Sequence, residues 1–459
     1  MNLVNLYKKT DLSFIEKLSH IAEKNDKIDP ELYSKYGVKR GLREEDGKGV
    51  LVGLTRVGSV LGYEVSEDGV KKPIPGKLIY RGYDVEELIK DSADNSQFGF
   101  EQTAYLLLFG ELPDKDQLEE FKIKLGELRQ LPPGFTEDMI MKAPSSDIMN
   151  KLARGVLASY SYDSNPEDVS AANVLRQCVE LLSRFSTLVA YAYQAKRRYY
   201  DGKSMYIHNP KPELSTAENF LRLIRRDKEY DRLEAELLDL ALILHAEHGG
   251  GNNSTFSIHV VSSTDTDTYS AVAAAVGSLK GRRHGGANIK VMHMMDDIKA
   301  NVKDWSSEKE VEAYLRKILR KEAFDRTGLI YGQGHAVYTI SDPRAILLRD
   351  KAKELAESKG FSDEFALYCL IEKLVPKVFA EEKGSDKQIC TNVDFFSGFV
   401  YSMLNIPREL FTPLFAISRI AGWSAHRLEE IVSGGRIYRP AFKQVEELKE
   451  YIPLNKRKE

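Results

Sequence analysis

Cysteine is scarce. The 459 residues hold only Cys178, Cys369 and Cys390, far apart and without a CxxC pair, so neither a disulfide framework nor a thiolate metal centre is expected and a reducing compartment suits the chain. A surplus of one charge is also missing: 66 Lys and Arg stand against 69 Asp and Glu. The basic residues are scattered, which excludes the electrostatic footprint of a nucleic-acid binder. A small anionic substrate stays open, because it needs only a few arginines in one cleft. No run of about 18 apolar residues exists, so no bilayer span is expected. The opening MNLVNLYKKTDLSFIEKL lacks an apolar core and carries early acidic residues, so it reads as neither a secretory signal nor a transit peptide, and the expected location is cytoplasmic. Internal repeats, low-complexity tracts and Gly/Ser linkers are absent too, so a second domain is expected to pack closely on the first.

What is present is a helical pattern. Hydrophobic residues make up 42% of the chain, enough for a sizeable core. Asp11–Lys24 spaces Phe14, Ile15, Leu18 and Ile21 along one face, with Asp11 as the expected N-cap. From Gly37 to Tyr83, short Val/Leu/Ile runs alternate with DG and IPG turn signals, the texture of a few short strands. From Val85 onward the apolar residues recur at three and four, interrupted by a loop over Tyr199–Pro212. The expected fold class is mainly α with a few short N-terminal β-strands.

Several polar residues stand where a helical core does not need them. In LKGRRHGGAN, His284 sits between a small-residue run and a helix-like run. Gly285 and Gly286 are expected to adopt backbone conformations closed to other residues, and the N–H groups of the following helix to point at a neutral imidazole. The alternative is a Gly-rich turn with a histidine cap. In LHAEHGGGNN, His245 and His248 lie three apart, which on a helix puts both on one side. A metal pair is disfavoured, since HExxH is not matched and no third ligand is spaced to complete a site. In LIYGQGHAVYTISDPR, Gly332 and Gly334 precede His335 and an arginine follows nine residues later, but no GK[ST] makes it a phosphate loop. In TNVDFFSG, Asp394 is either a helix cap or a base. Arg419 lies within an apolar run and Arg439 just before Pro440, where arginines usually snorkel or pair with a carboxylate.

Taken in order, HAEHGGGNNST, GRRHGGAN, GQGHAVYTISDPR, NVDFFSG, FAISR and RIYRP resemble the citrate synthase family, and the likeness extends upstream to GLREEDGKGVLVGLT and FEQTAYLLLFGELP. The resemblance implies a two-domain helical fold: residues 1–283 as the first part of a large domain, 284–397 as a small domain that closes over the site, and 398–459 as the return and tail. It implies a tricarboxylic acid cycle acyltransferase acting on oxaloacetate and acetyl-CoA, the latter a co-substrate, with no prosthetic group and no metal. The catalytic positions would be His284, His335 and Asp394. Oxaloacetate would be held by His248, Arg344, Phe415, Arg419 and Arg439. CoA would lie along Leu329, Ile330, Gly332 and Gly334, with Arg43 as a candidate phosphate contact. A homodimer with shared active sites is implied, with no nucleic acid or membrane partner. Two departures stand out. Gly249 replaces an acidic residue after the second histidine, and Arg282 replaces a proline and is expected to add charge beside His284. The nearest alternative is 2-methylcitrate synthase, which differs by one methylene in its propionyl-CoA substrate. A silent regulatory protein on the same fold would be expected to lose His284 or Asp394, and both are present.

Overall fold

The computed structural model describes residues 12–44, 47–66, 68, 70–384 and 388–457. Asp11, the expected cap of the first helix, lies outside them, as do Asp46 and Gly69 of the two DG signals. The chain divides into two compact units, one made by residues 1–52 and 439–459, the other by Gly53–Tyr438. The first unit holds the helices Leu12–Asn25 and Glu31–Lys35. The amphipathic pattern forms its helix as expected, yet Phe14, Ile15, Leu18 and Ile21 are all exposed.

In the second unit, β1 (Gly58–Val65), β2 (Lys71–Tyr80) and β3 (Tyr83–Asp84) form one antiparallel sheet in the order β1-β2-β3. IPG, expected as a turn, lies inside β2. The register shifts between Leu61 and Tyr63, opposite this segment, so the irregularity accommodates Pro75 without breaking the strand. The irregularity also brings the sheet against the loop that carries His335. A Cβ on Gly62 would overlap the Val337 carbonyl, and one on Gly76 would overlap Ser341. The Gly76 N–H donates to Ser341 O at 3.1 Å.

The rest is helical, and among the described residues no helix is long and apolar enough to cross a membrane. The 29-residue helix Ala171–Tyr199 and the helix Phe411–Ser433 pack against each other at the centre. From Phe411 to Arg427 every residue except Phe415 is buried, so this helix is a core element on all sides rather than an amphipathic one. It touches Phe100–Phe109, Arg232–His245, Asn253–Ser262 and Thr268–Lys280. Arg232–His245 begins with a reciprocal capping box, Asp231 with Glu234, which satisfies two otherwise free N–H groups. Further along, Pro343–Lys359 packs on Val393–Met403, and Glu308–Leu319 on Ser362–Lys383.

One close approach fixes where Phe411–Ser433 meets the end of Arg232–His245. The Gly422 N–H donates to Ala246 O at 3.2 Å, and a Cβ on Gly422 would overlap both that carbonyl and Glu247 Oε2. Gly422→Ala is therefore expected to lower stability by about 1–3 kcal/mol, the usual cost of overpacking. Chemical denaturation of parent and variant checks this, and an unchanged midpoint would mean the two elements are not held at this contact.

Candidate active site

The site grows from the end of the helix Arg232–His245. The sequence pattern places His245 and His248 on one helical face, but the helix stops at His245 and His248 lies in the turn beyond. The helix ends because its last carbonyls find partners outside it. Arg419 Nε donates to His245 O at 2.6 Å, the Tyr80 hydroxyl lies 2.9 Å from Ile243 O and 3.2 Å from Glu247 O, and Gly422 takes Ala246 O. The turn is then closed by Glu247, whose Oε1 accepts the Gly249 N–H. Gly249 has φ +80°, a conformation that side chains resist. Glu247, two residues before Gly249, thus holds the turn.

Arg419 is fully buried. Its Nε is occupied, but Nη1 and Nη2 have no hydrogen-bond partner, and the guanidinium lies 4.9 Å from the Phe415 ring centre. Burial draws its pKa down to about 10. A desolvated cation with two unused donors is costly unless an anion completes it. His245 stacks on Phe415 at 4.2 Å, and both of its ring nitrogens are likewise buried and unpartnered.

Arg344 is the second buried cation, and it is paired. Asp342 accepts from its Nε at 3.0 Å and its Nη2 at 2.7 Å, a two-pronged geometry that suits guanidinium and carboxylate. Asp342 also caps its own helix through the Arg344 N–H and takes the Val393 N–H at 3.2 Å. One carboxylate therefore ties Arg344 to the first turn of Val393–Met403, where Asp394 sits. Asn392 is the cap of that helix, accepting from the Asp394 N–H at 3.0 Å, so Asp394 is released from the capping role and its carboxyl is left without one. Burial pushes the Asp394 pKa up to about 6, with Arg344 and Arg419 pulling against it.

His335 reaches the same place from the loop behind the sheet. Its Nδ1 accepts from the N–H groups of Val337 at 3.0 Å and Tyr338 at 3.1 Å, which leaves the proton of a neutral ring on Nε2. The ring stacks on Tyr338 at 4.5 Å, and His248 stands edge-on to it at 5.2 Å. Burial, then Arg344, lowers the His335 pKa to about 4. His245 and His248 are driven well below the usual histidine range by burial first and the arginines after.

The loop is stapled to the Asp394 helix. Gly334 N–H donates to Cys390 O at 2.7 Å, Asn392 N–H to Gly332 O at 2.9 Å, and the Asn392 side chain to Gly334 O at 2.9 Å. Gly332 has φ +79°, and a Cβ there would come within 2.8 Å of Phe395. Beside it, Leu329 is exposed and Ile330 buried.

His284 lies in the turn before Ala287–Asn301. Gly285 and Gly286, expected in special conformations, have no positive φ. What Gly285 supplies is proximity, since a Cβ there would overlap the Leu279 carbonyl and press on Thr412, whose hydroxyl donates to Gly285 O at 2.7 Å. His284 Nε2 is 3.1 Å from Ser254 Oγ, which also receives the Trp423 indole N–H at 3.2 Å. Burial, then Arg419, lowers the His284 pKa to about 4. Arg282, expected to charge this spot, is exposed, and the cation acting on His284 is Arg419.

The structure thus brings together His248, His284, His335, Arg344, Asp394, Phe415 and Arg419. Arg43 and Arg439 belong to the unit of terminal segments. Both are exposed, and Arg43 donates to Gly47 O at 2.8 Å. Sequence reasoning missed Asp342, Tyr338, Ser254 and Trp423, the residues that hold the others. Asp342 alone carried a signal, as an Asp before a helix-starting Pro. A second missed group, Glu247, His259, His426, Glu429 and Glu430, forms a buried ion-pair network behind Arg419. There His426 lies 3.2 Å from Glu247, and its pKa is held up at about 9 against burial by Glu247 and Glu429.

A family model described as "Citrate synthase, C-terminal domain" matches residues 46–441. A citrate synthase of Synechocystis sp. is 37% identical over 388 residues, covering 83% of this chain and 88% of the relative. A 2-methylcitrate synthase of Shewanella oneidensis is 34% identical over 365 residues, covering 79% and 87%. Among solved structures, a ternary complex of carboxymethyl coenzyme A and oxaloacetate with citrate synthase from Thermoplasma acidophilum superposes with TM-score 0.73 at 27% identity, covering 91% of this chain and 99% of that one.

The unpaired guanidinium makes a direct prediction. Malonate, a small dicarboxylate, is expected to raise the thermal midpoint of the protein, and Arg419→Met to abolish that rise. A rise that survives in Arg419→Met would mean that the anion is held elsewhere.

Proposed function

The chain belongs to the citrate synthase family, and from that premise we propose how its residues join acetyl-CoA to oxaloacetate and water to give citrate and CoA. The observation that carries the reading is one carboxyl, Asp394, raised to about 6 among two buried guanidiniums and histidines held neutral. Carbon acids need such a base, together with a neutral donor for the oxygen on which charge grows.

Oxaloacetate binds first, its carboxylates on Arg419 and Arg344 with His248 alongside, and Arg439 of the partner subunit in a homodimer completes the cradle. The support for the partner's contribution is the family resemblance together with the position of Arg439 in an exposed tail after Gly434 and Gly435. Acetyl-CoA lies along Leu329–Gly334. Asp394 takes a proton from the thioester methyl group. The Ser254 hydroxyl, which receives the Trp423 N–H and donates to Asn252 Oδ1 at 2.9 Å, holds His284 at Nε2, and the neutral ring serves as the donor to the thioester oxygen. The resulting enolate carbon attacks the ketone carbon, and His335 Nε2–H supports the oxygen that becomes a hydroxyl. Water then cleaves the citryl thioester, releasing CoA. Residues 284–397 move as a small domain, because Arg344 and His335 lie on one side of the dianion and Arg419 on the other. Three unpaired cysteines fit the cytoplasm as the location, and the condensation itself sets the protein in the tricarboxylic acid cycle.

The relative from Shewanella oneidensis supports a second reading, propionyl-CoA as the acyl donor. A thiol-release assay with oxaloacetate and each acyl-CoA separates them. The expected result is a kcat/KM for acetyl-CoA at least about tenfold higher, the scale on which one methylene is discriminated, and the reverse order would make the protein a 2-methylcitrate synthase.

Asp394→Asn is expected to lower kcat about a thousandfold and leave oxaloacetate affinity within about threefold. In the parent, the base must be ionised, so kcat/KM is level above the Asp394 pKa and falls as pH drops through about 6. His284 and His335 stay neutral across that window because their values lie near 4. Activity that instead rose as pH fell through 6 would require a protonated histidine and contradict these roles.

A further inference from the structure

His259, on Asn253–Ser262, and His426 and Glu429, on Phe411–Ser433, have no part in the reaction proposed above, yet their side chains converge. His259 Nε2 and His426 Nδ1 face each other at 2.9 Å. Glu429 Oε2 lies 3.7 Å from His426 Nδ1, buried and without a hydrogen-bond partner. All three atoms lie within 4.8 Å of one another. The outer nitrogens are also occupied: His259 Nδ1 is 2.8 Å from Glu430 Oε2, and His426 Nε2 is 3.2 Å from Glu247 Oε1.

A carboxylate on the outer nitrogen of an imidazole keeps a ring proton there. His426, whose pKa Glu247 and Glu429 hold up at about 9, carries a proton on its inner nitrogen as well, and that proton joins the two rings across 2.9 Å. It leaves Glu429 Oε2 without a partner, whereas a metal ion that displaced it would engage all three converging atoms.

We propose that His259, His426 and Glu429 form a binding site for a borderline divalent metal ion of the zinc type, separate from the site of condensation. Tetrahedral zinc with nitrogen and oxygen ligands at about 2.0–2.1 Å sets neighbouring ligand atoms about 3.3 Å apart. The observed 2.9 and 3.7 Å bracket that value, and the third separation is at most 4.8 Å, so binding draws Glu429 towards His259. Two imidazoles and one carboxylate select Zn²⁺ or Co²⁺ over Mg²⁺ and Ca²⁺. Glu430 and Glu247 orient the rings as the outer carboxylates of metal-bound histidines do. On the open side, a Cβ at Gly250 would come 3.8 Å from His259 Nε2 and His426 Cε1, so the glycine keeps that side free of a side chain. The bound ion would tie the helix whose Ser254 holds His284 to the helix that carries Arg419, and so brace the site without entering its chemistry.

The test uses the full chain, stripped of metal by a chelator and titrated with Zn²⁺ and, separately, Co²⁺. One ion per chain should bind, Zn²⁺ at a dissociation constant below about 1 µM and Co²⁺ with the visible absorption of a four-coordinate ion. The thermal midpoint should rise with Zn²⁺. His259→Gln and Glu429→Gln should each weaken Zn²⁺ by at least about 30-fold, and Glu430→Gln by about tenfold, as loss of a ligand and of an outer partner do. Saturable binding that survives His259→Gln and Glu429→Gln would place the ion elsewhere and overturn the proposal. So would a parent protein that takes up no Zn²⁺ below about 0.1 mM or gives only the weak absorption of six-coordinate Co²⁺. The Co²⁺ spectrum is read on the parent alone, so a variant that fails to fold leaves the test intact. Thiol release from acetyl-CoA by the stripped parent should persist, which separates failure of this proposal from failure of the condensation reading.

Discussion

Burial, with two guanidinium groups held out of water beside it, Arg344 and Arg419, governs the electrostatics of the whole site. A buried cation disfavours any second positive charge near it and favours a negative one. Burial and these arginines act in the same direction on the imidazoles of His245, His248, His284 and His335, and all four are driven towards the neutral form. On Asp394 they act against each other, and burial prevails by enough to leave the carboxyl near 6. A base and neutral donors in one pocket therefore follow from burial, which the two charges reinforce on the imidazoles and oppose on the carboxyl.

The two arginines are not equivalent. Arg344 has its carboxylate, Asp342, which also caps one helix and anchors the first turn of another. Its charge is compensated and its position fixed. Arg419 spends one donor on the end of Arg232–His245 and leaves two without partners. The fold is thus complete around Arg344 and incomplete around Arg419, and an incoming dianion supplies what the second lacks. Glu247 stands behind Arg419 and its Oε2 too is unpartnered, so attraction between the two is not consumed in a direct ion pair.

Much of this was legible in the sequence. Glycine-flanked histidines, an aspartate beside a helix start and arginines in apolar surroundings are local signals, and each marked a residue that the fold brings to one place. The helices after Val85 were legible because period is a local property too. What could not be read was support. Ser254 and Trp423 hold His284 from helices far along the chain, and two backbone N–H groups fix the tautomer of His335. Such contacts depend on tertiary geometry that no spacing encodes. The same limit accounts for two differences between sequence and structure. His245 and His248 share a helical spacing, and nothing local shows that Arg419, Tyr80 and Gly422 take up the last carbonyls of that helix. IPG has the composition of a turn, and the strand irregularity that accommodates its proline is defined by the partner strand.

The central claim is that burial, reinforced by the two arginines, keeps His284 and His335 neutral, with the His335 proton on Nε2. Long-range nitrogen–proton NMR of the protein labelled with ¹⁵N in its histidines reads both properties directly. The account predicts that neither ring titrates as pH is lowered from 8 to about 5.5, with His335 protonated at Nε2. Titration of either ring near 6.5, or a His335 proton found on Nδ1, would contradict it.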